Sequence, residues 1–136
     1  MTDMTTLKEI TTLLDSTLRI AEVKDAPMAL NGLQVENNGQ VTKVALAVDG
    51  SQKTIDDAIA AGADLLVLHH GIYWCGLRPM TGWFRKKIVS CLEHNLASHN
   101  SASRSLMEIC RFVISSSIFK VSSVDPALFS IRLRRK

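Results

Sequence analysis

Long apolar runs are missing from this chain of 136 residues. None approaches the roughly 20 residues needed to cross a bilayer, so no membrane-spanning helix and no membrane partner are expected. The opening stretch, MTDMTTLKEITTLLDS, carries acidic residues and no continuous apolar core. It lacks the form of a secretory signal, and a cytoplasmic location is expected. Cysteines are few: Cys75, Cys91 and Cys110. Without an export signal they read as reduced thiols rather than a disulfide framework. Neither common Gly-rich phosphate fingerprint is present, which removes the motif basis for a dinucleotide-binding or P-loop assignment. A Gly-x-Ser-x-Gly elbow is absent too. Net charge is only +3, too small to argue for a nucleic-acid partner, and none is expected.

What is present is an ordinary globular composition, 46% hydrophobic and 21% charged, long enough to build one core. It is unevenly spread. Residues 1–97 hold nine basic and eleven acidic residues and all seven glycines, whereas residues 98–136 hold seven basic residues, two acidic ones and ten serines. Two segments follow: an α/β part over 1–97 and a divergent, serine-rich basic tail over 98–136.

Local patterns place the elements of the first segment. Thr6 followed by Glu9 is a capping box, and Leu7, Ile10, Leu13, Leu14 and Leu18 recur at helical spacing, predicting a helix from Thr6 to Arg19. Pro27, Asn31-Gly32 and Asn37-Asn38-Gly39 mark turns around a short strand at Leu33 and Val35. Val41 to Val48 reads as a strand. A helix capped by Ser51 or Asp49 follows, with Ile55, Ala58, Ile59 and Ala60 on its apolar side and Gly62 as its stop. Asp64 to Leu68 is the next strand, apolar after its first residue, as in a buried parallel sheet. Gly71 to Gly82 reads as a loop. A helix over Trp83 to Asn95 then puts Phe84, Ile88 and Leu92 on one face and Arg85, Lys86 and Lys87 on the other. Those three cations read as a solvated face, with phosphate binding as the alternative.

A parallel crossover brings the carboxyl ends of both strands to one edge, the edge at which open α/β sheets bind ligands. Asp49 and the adjacent pair His69 and His70 therefore share that edge. Neighbouring strand residues point to opposite faces, so both imidazoles serve one site only where the strand ends or bends, and Gly71 supplies such a bend. Two such rings can each bind one ion of a metal pair, whose members sit about 3.5–4 Å apart. The plainer reading buries one ring against a carbonyl and leaves the other in solvent. Cys91 and His94, joined by His69 or Cys75, are an alternative zinc half-site.

The stretches NGLQVEN (31–37), VALAVDGS (44–51) and DAIAAGADLLVLHHGIYW (57–74), with the helix that follows to Leu96, resemble the Nif-three-like dinuclear-metal family, often labelled GTP cyclohydrolase I type 2 homologues. The resemblance implies an α/β fold with a parallel or mixed sheet and flanking helices. It also implies ring-shaped homo-oligomers, commonly hexamers, and two divalent metals per subunit, whether zinc, iron, manganese or magnesium. In the family the positions matching His69 and His70 bind one metal each; Asp49, from its place at the strand end alone, is a candidate for orienting a ligand or water. Further ligands come from a His-x-x-x-Asp strand after the next helix and from a His and a Glu near the C-terminus of a longer chain.

This sequence departs from that pattern after Ala97. His99 stands early, Ser103 occupies the aspartate position, and the last His and Glu have no counterpart. The expected function is divalent-metal binding with hydrolase chemistry at an incomplete site; the alternative is a non-catalytic remnant or interaction protein without stable metal binding. The tail reads as out of frame or replaced. Within it, 106–113 suggest a helix and 113–121 a strand, while Arg132, Arg134, Arg135 and Lys136 form a basic end.

Overall fold

The computed structural model describes residues 5–101, 119–125 and 130–135. Its main sheet has six strands in the order β2-β6-β5-β4-β8-β7. The central three, β4 (Lys43–Asp49), β5 (Leu65–His70) and β6 (Ala97–Asn100), are parallel. The outer three, β2 (Gly32–Val35), β8 (Ser130–Arg135) and β7 (Phe119–Asp125), pair antiparallel. Two short strands, β1 (Thr5–Thr6) and β3 (Gln40–Val41), form a separate ribbon. The fold is α/β with a mixed sheet and helices on both faces.

Alternation along the buried strands sorts their side chains between two cores. Leu65 and Val67 face helix α1 (Leu7–Thr17), packing with Ile10, Leu14 and Val44. Leu66 and Leu68 face helices α2 (Gln52–Ala60) and α3 (Gly82–Glu93), packing with Ile55, Ala58, Phe84, Ile88 and Cys91. Both crossovers, β4-α2-β5 and β5-α3-β6, advance across the sheet in one direction and so lie over one face, as a constant right-handed sense requires.

The predicted helix ends are close to the observed ones. Thr6 caps α1 with a full capping box: its hydroxyl accepts from the Glu9 amide at 3.1 Å, and the Glu9 carboxylate accepts from the Thr6 amide at 3.0 Å. Ser51, rather than Asp49, caps α2 by accepting from the Thr54 amide. Gly62, at φ +72°, ends α2 in a Schellman turn, its own amide donating to Ile59 and that of Ala63 to Ala58.

Three expectations are corrected. Ala60 is exposed, because only Ile55 and Ala58 fall on the buried stripe of α2. Leu92 is 60% exposed, and Cys91 takes its place beneath Phe84 and Ile88. The strand expected over 41–48 is broken at Thr42, where the Asp64 carboxylate accepts from the Thr42 amide, the Thr42 hydroxyl and the Lys43 amide at 2.7, 2.7 and 3.0 Å. The helix expected over 106–113 lies outside the described residues, as does the strand expected over 113–121 except for its last three residues, which begin β7 (Phe119–Asp125). No helix among the described residues is long and apolar enough to cross a membrane.

Removing the Thr6 hydroxyl takes a cap from α1. We expect Thr6→Ala to lower stability by about 1 kcal/mol, measured as a shift of the urea midpoint at unchanged slope.

Candidate functional site

The expected edge exists, and its geometry follows from register. β4 and β5 pair with Val44 opposite Leu65 and Asp49 opposite His70. That pairing brings His70 Nδ1 to 2.7 Å from Asp49 Oδ1. The contact is partly exposed, and a neutral ring satisfies it by donating Nδ1–H to the carboxylate. The lone pair on Nε2 is then the one left for a ligand.

β5 runs two residues beyond its predicted end at Leu68 and contains both histidines. Alternation alone would part their rings, yet the centroids lie 4.5 Å apart at an interplanar angle of 40°. The Trp74 ring also lies against His70, its centroid 4.5 Å away. Nδ1 of His69 is buried and has no hydrogen-bond partner among the described residues.

The turn after His70 is held by side chains from two other strands. Asn100 Oδ1 accepts from the Gly71 amide at 3.2 Å, while its Nδ2 donates to Leu30 O at 3.1 Å and Asn31 Oδ1 at 2.8 Å. Gln34 Oε1 accepts from the Tyr73 amide at 3.2 Å, and its Nε2 donates to Leu30 O. Gly71 is needed for this approach and not for a left-handed backbone. A Cβ there would stand 2.6 Å from Gln34 Oε1 and 2.7 Å from Asn100 Cβ. Sequence reasoning does not find Asn100, Gln34 or Trp74 as parts of the site. The signals available are that Asn31 and Gln34 belong to the NGLQVEN stretch and that Trp74 ends the DAIAAGADLLVLHHGIYW stretch.

His99 is not brought to the edge. Register places it opposite Val67, short of the histidine pair, and alternation turns its ring toward α1. There it is fully buried, with Nε2 2.7 Å from Asp15 Oδ1. The Cys91 and His94 half-site is not assembled either. Cys91 lies in the core, where burial pushes its thiol up to about 11 and keeps it protonated at neutral pH. His94 Nδ1 lies 2.9 Å from the Ser90 carbonyl oxygen. Among the described residues no three His, Cys, Asp or Glu side chains are grouped closely enough to hold an ion.

Residues 5–100 match the family model described as Duf34/NIF3 (NGG1p interacting factor 3). A protein of Treponema pallidum (strain Nichols) named GTP cyclohydrolase 1 type 2 homolog is 40% identical over 93 residues, covering 68% of this chain and 32% of its own length. One of the same name from Archaeoglobus fulgidus is 41% identical over 91 residues, covering 67% and 36%. This chain thus spans about a third of the length of the curated relatives it matches. Among solved structures, TTHA1606 from Thermus thermophilus superposes with a TM-score of 0.66 at 29% identity over 71% of this chain and 39% of that one. A Bacillus cereus protein related to NIF3 shares the fold with a TM-score of 0.64 at 20% identity, over 91% and 36%.

Filling the gap at Gly71 forces apart β2, β6 and the histidine turn. Gly71→Ala is expected to cost about 1–3 kcal/mol in chemical denaturation. The histidine ring resonances should move with it, as they would not if the strain stayed local to the loop.

Proposed function

Because this chain belongs to the Duf34/NIF3 (NGG1p interacting factor 3) family, we propose that it binds divalent metal, with His69 and His70 supplying one half of a dinuclear centre. The observation that carries this reading is the 2.7 Å contact between His70 Nδ1 and Asp49 Oδ1. Metal-binding histidines commonly give their second ring N–H to a carboxylate, which fixes the tautomer and raises the basicity of the other nitrogen. Asp49 is therefore a positioning residue for His70. His69 adds support, since a buried ring nitrogen without a hydrogen bond is costly and coordination is one way to satisfy it.

These residues fit one half of a metal pair. Bound there, a divalent ion would supply Lewis acidity, lowering the pKa of a coordinated water toward neutrality. The chain's own contribution is to converge two imidazoles, to orient one through Asp49 and to shield it with Trp74. Hydrolase chemistry depends on further ligands from outside the described residues or from another copy of the chain, so self-association into a ring belongs to the same proposal. The alternative, a non-catalytic member without stable metal binding, is favoured by one observation: His99 is turned onto Asp15 and not toward the pair.

Metal content of the full chain after dialysis against metal-free buffer tests the reading. We expect divalent metal below two ions per chain, lost on His69→Ala or His70→Ala, and an affinity weakened about 10–100-fold by Asp49→Ala. No retained metal would overturn metal binding. Two retained ions per chain would overturn the half-site.

A further inference from the structure

Beside the histidine edge lies a second group of side chains that metal binding leaves unused. Arg78 Cζ stands 5.1 Å and Lys87 Nζ 4.9 Å from the centroid of the Trp83 ring. That ring is 59% exposed, yet it is anchored edge-on against Phe84, which is buried in the core. A fixed aromatic ring thus gathers two cations within electrostatic range of each other, and each gains by lying over its π cloud.

Two positive groups held together repel, and a carboxylate between them is the usual remedy. No contact ion pair supplies it: among the described residues neither Arg78 nor Lys87 forms one, and Asp49 acts on Lys87 only from beyond ion-pair distance. The first turn of α3 contains no acidic residue either. The Lys87 amine is held below its ordinary pKa, first by burial and then by Arg78, with Asp49 and Cys75 acting in the opposite direction. Asp49 is the partner of His70, so the amine lies within electrostatic range of the histidine edge. Arg85 and Lys86 differ from it in being exposed, as a solvated face requires.

We infer that Arg78 and Lys87, held on Trp83, form a binding site for the phosphate group of a small phosphorylated ligand at the rim of the histidine edge. A dianion balances two cations, whereas a monoanion leaves one charge uncompensated. Arg supplies a planar fork of donors and Lys a compact point charge, a combination suited to phosphate oxygens. The partly desolvated position of Lys87 strengthens the attraction relative to open solvent. Trp83 is a positioning residue for both cations and offers its remaining exposed surface to whatever carries the phosphate.

The site needs no metal, so its test is separate from that of the histidine pair. The full chain is titrated with inorganic phosphate in the presence of a chelator, at constant ionic strength set by chloride, and followed by tryptophan fluorescence and calorimetry. Saturable binding of phosphate is expected. Arg78→Gln and Lys87→Gln, which remove the charge and leave a polar side chain, should each weaken it about tenfold, the worth of one charged hydrogen bond. His69→Ala and His70→Ala should leave it unchanged, and Trp83→Phe should remove the fluorescence response. Absence of a saturable calorimetric signal would overturn the proposal. So would undiminished affinity in the Arg78→Gln, Lys87→Gln double variant with a native circular dichroism spectrum.

Discussion

The parallel register of β4 and β5 is the constraint on which the histidine edge depends. Slipping it by one residue would move Asp49 away from His70 and turn each strand's apolar set to the wrong layer. The register is pinned at the start of the strands by Asp64, whose carboxylate accepts three hydrogen bonds from Thr42 and Lys43. It is read out at the other end by the imidazole and carboxylate of His70 and Asp49. Between them lies a run of fully buried aliphatic side chains that is close-packed on both faces and so tolerates no sliding.

Much of this is legible in the sequence, because it rests on local rules. A β-branched run, a serine cap, a glycine stop and a second apolar run specify a crossover unit, and a parallel crossover fixes which ends meet. The Thr42 break is not legible, since its cause is a carboxylate 22 residues away. Nor is the choice of Cys91 over Leu92 as a core residue, which depends on the angle at which α3 lies on the sheet. The clamp by Asn100 and Gln34 is hidden for the same reason: each residue lies on a different strand from the histidines, and only the fold brings them together. Gly71 differs from expectation in what it does. Its lack of a side chain admits Gln34 and Asn100, where the sequence suggests a residue chosen to bend the backbone.

β6 and the residue after it show another part of the balance. Ser98, His99, Asn100 and Ser101 are all fully buried, an unusually polar stretch for the interior of a parallel sheet. Most of that cost is offset. Asn100 makes three hydrogen bonds, Ser101 donates its hydroxyl to Leu68 O at 3.0 Å, and His99 faces Asp15. Nδ1 of His99 and the hydroxyl of Ser98 have no partner among the described residues. Such a strand contributes less to stability than an aliphatic one of its size, but its directional bonds fix where the neighbouring strands and α1 must lie.

The Gly71 contact also bears on motion. Loops beside ligand sites usually sit at the low end of a protein's stability spectrum, opening without disturbing the core. Here the histidine turn is bonded to side chains that themselves stand on β2 and β6, so it is part of the same cooperative unit as those strands. Loosening the turn means unzipping one side of the sheet. Preorganisation of the two imidazoles is thus carried by the folding free energy of the domain, with no separate hinge by which the turn can open alone.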